Sequence, residues 1–233
     1  MVLFVIRQLR LPRPFLDVRL LANGLLTNSA LVIGTTLGVF NGTLYLLTLR
    51  YQVVGGLSAV EAGIALLPLA VAMAVGGLLG PLLQGRFAQQ QVIVGGMFVV
   101  AIGFLLVATT PGTGALVGMV LLGLGSGIVM AIGANAVMGS APENRTADAG
   151  AIQESAFALG AGTGIAVLGV MAIHYAAQSA AGPSAEAVYG TGTDSALGIS
   201  AFFYVFFVLA ASIHLLSTTE NSRSRADRHS KVT

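Results

Sequence analysis

The chain contains no cysteine, which excludes a disulfide framework, a thiolate metal site and a cysteine nucleophile. It is almost as poor in charge: 9% of its 233 residues are Asp, Glu, Lys or Arg, against about 25% in a soluble domain. That is too little to solvate a globular surface. With 55% hydrophobic residues and a mean hydropathy of +0.88, lipid must be part of the solvent. The net charge of +2 comes from basic residues at the two ends and in short loops, which suits anionic lipid and not nucleic acid. Walker, HExxH, GxSxG and strand-linked GxGxxG motifs are missing too, so a kinase, an ATPase or a soluble-type hydrolase has no support. No nucleophile–base pair can be assembled from the polar residues at depth. An enzyme is not expected, nor is a metal or a cofactor.

Met1–Ile6 is apolar but spans only about 9 Å as helix. Arg7, Arg10 and Arg13 follow it, the reverse of the charge order of a secretory signal. Residues 1–25 are therefore expected to be the end of a truncated preceding helix and a cytoplasmic lead-in. Beyond them, six apolar blocks of membrane length are read at 26–49, 59–84, 91–109, 114–139, 146–174 and 195–217. Ser58-Ala-Val-Glu61 is a capping box before the second. Thr110-Pro-Gly-Thr113 and Ala141-Pro-Glu-Asn144 are breaks, and the longest loop carries Gly182-Pro-Ser and Gly190-Thr-Gly-Thr-Asp194. The polar tail, 218–233, is predicted to be disordered and cytoplasmic. The fold class is all-α: a six-helix transmembrane domain over 26–217.

If the six helices alternate in direction, every basic residue except Arg50 falls on one side. The excess of Arg and Lys makes that side, with both termini, cytoplasmic in a multi-pass protein of the cell membrane. Glycine, 31 residues in all, is concentrated inside the helices, where it permits close helix approach. Gly160 and Gly164 form a GxxxG pair, and Gly123, Gly125 and Gly127 crowd the fourth helix. Pro68 and Pro81 lie within the second.

Glu154 stands out in the fifth block, among small and apolar residues. A carboxylate at that depth costs about 2.5–3.5 kcal/mol on insertion scales, so it is read first as a proton or cation site and otherwise as a helix–helix hydrogen bond. At about 100° per residue, Ala147, Gly150, Ala158, Ala161, Ile165 and Leu168 share its face within about 40°. Asp148 lies about 120° away, near the helix start, where the macrodipole favours an anion; ion traffic is its other reading. Gln153 and Ser155 flank Glu154, and Asn135, Asn41 and Tyr45 are the other polar groups at depth, as cavity-lining groups or as packing contacts. His174 and His214 sit near helix ends. Phe202, Phe203, Phe206 and Phe207 with Tyr204 give the sixth helix an aromatic surface for lipid and packing.

Three segments carry a family resemblance, over about Arg7 to Leu216. They are Arg7-Gln-Leu-Arg-Leu-x-x-Pro14-x-Leu-Asp-Val-Arg-Leu20, Leu57-Ser-Ala-Val-Glu-Ala-Gly-Ile-Ala-Leu-Leu-Pro68, and the run from Gly150 through Gln153-Glu154-Ser155 to Gly169. The chain resembles the C-terminal half of the major facilitator superfamily, in its fourteen-helix drug:proton antiporters. The third segment is similar to the thirteenth helix of the subgroup exporting quaternary ammonium compounds and methyl viologen, where an acidic residue handles cations or protons. The resemblance implies one half of a major facilitator fold, with the first, second, fourth and fifth helices lining a cavity and the third and sixth facing lipid. Glu154 and Asp148 become the proton or cation candidates. In the loop Gly85-Arg-Phe-Ala-Gln-Gln90, Arg86 alone matches the family's gating-loop pattern.

The expected function is a proton-coupled multidrug efflux transporter half, with lipophilic cations and protons as ligands. Its partners are the bilayer and a second transporter half or a homodimer mate. The alternative is a non-transporting membrane module that acts only in assembly; a small channel is the weakest reading.

Overall fold

In lipid no water is available to pair with a backbone amide, so a spanning segment must satisfy its own hydrogen bonds, and a helix does so within one stretch of chain. The computed structural model describes residues 24–110, 112–142, 145–177, 197–199 and 204. Among them, five helices are long and apolar enough to cross a membrane. They are α1 (Gly24–Leu49), α2 (Ala59–Gln84), α3 (Gln89–Thr109), α4 (Thr113–Gly139) and α5 (Thr146–Ala177). Their ends fall within a few residues of the expected blocks. The exception is α1, which runs on through a π-helical turn, Arg50–Val54. The sixth block lies mostly outside the described residues; 197–199 and Tyr204 are helical. The lead-in 1–23, the long loop and the tail 218–233 also lie outside them.

The helix starts follow local chemistry. Ser58 Oγ accepts from the Glu61 N–H at 3.3 Å, and Glu61 Oε2 accepts from the Ser58 N–H at 2.9 Å, so the expected capping box forms. Gln91 gives α3 half of the same arrangement, accepting from the Ala88 N–H at 3.2 Å. Gly56 and Gly112, both at φ 64°, turn the chain into α2 and α4.

Glycines decide which helices meet. Helix α4 is the hub and packs against α2, α3 and α1, while α5 packs on α1. A Cβ on Gly123 or Gly127 of α4 would strike the carbonyls of Leu69 and Met73 on α2. One on Gly125 would lie 2.7 Å from the Val100 N of α3, and one on Gly118 would lie 2.7 Å from the Val107 N. Gly133 meets the Ile33 side chain of α1. On the other flank, Gly34, Gly38 and Gly42 of α1 run against Ala156, Gly160 and Gly164 of α5, carbonyl to α-carbon. The expected Gly160–Gly164 packing pair thus has its partner in three α1 glycines spaced four apart.

These pairings also give direction. Positions rise together along α1 and α5 and along α2 and α4, and run opposite along α3 and α4. The helices therefore alternate, which puts Arg86 and Arg145 at one end of the bundle and Arg50 at the other. The result is a row, α2–α4–α1–α5, with α3 behind α4. One core lies behind the row, around Phe104, Met97, Leu122, Val129, Ile132 and Leu46. A second, of Leu26, Ala30, Ile33, Val137, Ala149 and Ile152, fills the α1–α4–α5 junction. On α2, Val60, Ile64, Leu67, Val71, Leu78 and Leu82 are each more than half exposed.

Two neighbouring glycines of α5 should respond oppositely to one methyl group. A Cβ on Gly164 would collide with Gly38, whereas one on Gly162 meets nothing within 4 Å. Gly164→Ala should cost about 1–3 kcal/mol. Gly162→Ala should be neutral or gain up to about 1 kcal/mol. Thermal melts of the two purified variants check this; equal Tm values would contradict the α1–α5 contact.

Candidate functional site

The α1 contact fixes the rotation of α5. Ala156, Gly160 and Gly164 look toward α1. Glu154, two residues before Ala156, is turned by about 200° and faces away from α1. It is exposed, together with Ala147, Ala151, Ser155, Ala158 and Gly162. It lies eight residues into a 32-residue helix, about 12 Å from the helix start. Ser155 is occupied locally, its hydroxyl donating to the Ala151 carbonyl at 2.8 Å. Thr163, farther along, does the same with Leu159 at 2.6 Å. Among the described residues no hydrogen bond or ion pair engages the Glu154 carboxylate. A bare carboxylate on a strip of small residues is incompatible with lipid, so this face has to meet water or another polypeptide.

Asp148 stands apart from it, in the first turn of α5. Its Oδ2 is 3.9 Å from Nη1 of Arg145, with the two side chains 21% and 38% exposed. At a helix start this is where an anion and a neighbouring cation are both favourable. The pair is surface-like and worth about 0.2–1 kcal/mol.

Gln153 turns the other way. It is 9% exposed, and its Oε1 accepts no hydrogen bond. Its neighbour Ile152 belongs to the apolar junction of α1, α4 and α5, so an amide carbonyl stands unpaired beside aliphatic side chains. The rest of the cavity-lining group divides. On α1, Asn41 is half-buried and donates from Nδ2 to its own helix at Leu37 O, 3.0 Å away; Tyr45, one turn on, is 40% exposed. On α4, Asn135 is exposed and about 200° round from Gly133, the residue that meets α1. The structure therefore places Asn135 on the side of α4 away from α1 and does not bring it to Asn41 or Glu154. Arg86 is exposed in the α2–α3 turn, where Gln84 Nε2 donates to Gln89 Oε1 at 3.2 Å; it too is remote from α5. His174 is exposed near the end of α5, and His214 lies outside the described residues.

Two features were not anticipated. One is the pairing of Tyr204 with α1: its hydroxyl lies 3.4 Å from Thr36 Oγ1, its ring packs edge-on to Phe104 at 6.4 Å, and it is 3% exposed. The other is the contrast between adjacent side chains, Gln153 sealed and Glu154 open. A helical wheel shows that they diverge, but only the α5–α1 contact says which of them points inward. No group of three or more His, Asp or Glu suited to a metal occurs among the described residues.

A family model, the Major Facilitator Superfamily, matches residues 2–165. The methyl viologen resistance protein SmvA of Salmonella typhimurium is 34% identical over 173 residues, covering 72% of this chain and 35% of that protein. The multidrug efflux pump LfrA of Mycolicibacterium smegmatis is 32% identical over 72% of this chain and 34% of its own length. The tetracenomycin C resistance and export protein of Streptomyces glaucescens is 30% identical over 72% of this chain and 32% of its own. The chain thus spans about a third of the length of the curated relatives it matches.

Gln153→Met keeps the shape of the side chain and removes the unpaired acceptor. It should raise stability by about 1–3 kcal/mol, the penalty of leaving a buried polar group unsatisfied. The Tm of the purified variant reads this directly, and a fall would mean that the carbonyl has a partner.

Proposed function

This chain belongs to the Major Facilitator Superfamily, a family of transporters and not of enzymes, and on that premise we propose that it forms the C-terminal half of a proton-coupled multidrug efflux transporter for lipophilic cations. It is a multi-pass membrane protein. The observation that carries the reading is Glu154: an unpaired carboxylate about 12 Å along a membrane helix, on a strip of small residues that faces out of the bundle. A quaternary ammonium group has no proton to donate and is recognised by charge and by room, and this face offers both. A relative that is a methyl viologen resistance protein supports a cationic substrate.

The mechanism follows from charge balance. The ionised Glu154 carboxylate holds a cation; a proton reaching it neutralises the charge and releases the cation; loss of that proton resets the site. Asp148, near the helix mouth with Arg145, is a candidate for passing ions toward it. Asn41 and Tyr45 are candidates for lining the cavity from α1, and Arg86 for gating at the α2–α3 turn; Gln153, turned into the α1–α4–α5 junction, and Asn135, on the side of α4 away from α1, do not share the Glu154 face. The four-helix row leaves the Glu154 face uncovered, so a complete cavity needs a second layer. We assign that layer to another transporter half, or to a second copy of this chain. The domain arrangement proposed is a lead-in over 1–25, a transmembrane unit over 26–217 and a tail over 218–233. The positive-inside rule puts both termini in the cytoplasm and the protein in the cell membrane.

The uncovered face also favours a second reading, a membrane module that takes part in assembly without transporting. Expressing the chain alone and following a fluorescent cation separates the two. Efflux above that of empty cells supports a homodimeric transporter; efflux only with a second half supports the split arrangement; none in either case leaves the assembly module.

With a complete transporter in the membrane, Glu154→Gln should reduce dicationic-dye efflux to the rate of cells without it. The expression level should not change, because the side chain is exposed and unpaired. Retained efflux would remove Glu154 from the mechanism.

A further inference from the structure

Six hydroxyl groups in these helices or at their ends bond within their own helix. Thr48, Thr109, Thr110, Ser140, Ser155 and Thr163 each donate to the carbonyl one turn back, at 2.6–2.8 Å. A lone hydroxyl in an apolar helix bundle has that bond always within reach. Thr43 and Ser126 do not make it. They are 0% and 1% exposed, and among the described residues neither Oγ has a hydrogen-bond partner.

Their positions are related. Ser126 lies seven residues before Gly133 on α4, about 20° round the helix, and a Cβ on Gly133 would lie 2.5 Å from Ile33 Cγ1; Ser126 therefore faces α1. On α1, Thr43 lies seven residues after Thr36, again about 20° apart, and Ser29 lies seven residues before Thr36. All three are buried, at 4%, 0% and 0% for Ser29, Thr36 and Thr43. They form a file along α1, about 160° from the glycines that meet α5. Tyr204 joins the file at Thr36, hydroxyl to hydroxyl at 3.4 Å. With α1 and α4 antiparallel and Ile33 level with Gly133, Thr43 and Ser126 stand within about 5 Å of each other along the bundle axis.

We propose that Thr43 and Ser126 hold ordered water inside the helix bundle, on the hydroxyl file that runs along α1 from Ser29 through Thr36 and Tyr204. A sealed hydroxyl with neither a protein partner nor water loses its hydrogen bonds outright, whereas a buried water needs two to four polar partners, which is what such a file offers. The seam has a mechanical meaning. The α1–α5 and α2–α4 contacts are locked backbone to backbone, but α1 meets α4 at Gly133 through the flexible end of Ile33. Water placed there bridges α1 and α4 through bonds that can be exchanged as the two locked pairs shift. This water lies on the opposite side of α1 from α5 and is independent of any role for Glu154.

Radiolytic hydroxyl-radical labelling with mass spectrometry, on the 233-residue chain in lipid nanodiscs, tests the proposal, because radicals made from bound water mark adjacent side chains even when these are buried. Phe40 and Met119, 8% and 2% exposed, lie on the same helices as Thr43 and Ser126 and serve as reporters. Both should be oxidised. The signal should fall severalfold in the Thr43→Val/Ser126→Ala double variant and persist in Thr43→Ser, with labelling of the exposed Phe98 unchanged. Unlabelled reporters in the wild type, or equal labelling in the double variant, would overturn the proposal. So would a higher Tm in that variant, since deleting two dry, unpaired hydroxyls stabilises the fold and deleting two water ligands does not. Should the double variant not fold, Ser126→Ala alone, read at Met119, decides on the same terms.

Discussion

A bundle of helices in lipid has no water to expel from between them, so its stability has to come from atoms brought close together. Here the closeness is that of backbone to backbone. Along α1 and α5, and along α4 with α2 and α3, the space a β-carbon would take is already occupied by the neighbouring main chain. Everything else in the structure is subordinate to those contacts. They set which helices are neighbours, fix the rotation of each and leave the larger side chains to fill the two cores behind and beside the row.

The candidate site is a by-product of that rotation. Once Ala156, Gly160 and Gly164 are committed to α1, residue 153 has to turn inward and residue 154 outward. A carboxylate that the lipid rejects is thereby delivered to a side of α5 that meets none of the other described helices. Small residues line both sides of α5: Ala156, Gly160 and Gly164 pack on α1, and Ala147, Ala151, Ala158 and Gly162 lie on the exposed side with Glu154. Because the exposed face and the packing face are separate sets of residues on one helix, a substitution at Glu154 leaves the α1–α5 contact untouched.

Much of this was legible beforehand. The apolar blocks had the right lengths because punctuation such as Ser58–Glu61 and Pro142 is local chemistry, and local chemistry is written in consecutive residues. Gly160 and Gly164 were recognisable as a packing pair for the same reason. Their partners at Gly34, Gly38 and Gly42 were not, although the spacing of four is visible, because periodicity names a face and not the helix that it meets. Grouping Asn135 with Asn41 and Tyr45 rested on polarity alone and lacked the rotation of α4, which Gly133 supplies. The burial of Gln153, the π-helical extension of α1 and the reach of Tyr204 to Thr36 depend on tertiary contacts that no single helix encodes.

The α1–α5 contact joins helices that run in the same direction and therefore cannot be consecutive in the chain. Between Gly34 and Ala156 the ribosome must add about 120 residues, which at roughly 5–20 residues per second takes roughly 6–25 s. Through that interval the glycine face of α1 is in the membrane without its mate, while α2, α3 and α4 can already assemble. The contact that orients Glu154 is therefore the last of the pairings among α1–α5 to close, and birth order separates these five helices into an early group and a late clasp. Any factor that guards newly made membrane helices would find its longest-lived client surface on α1.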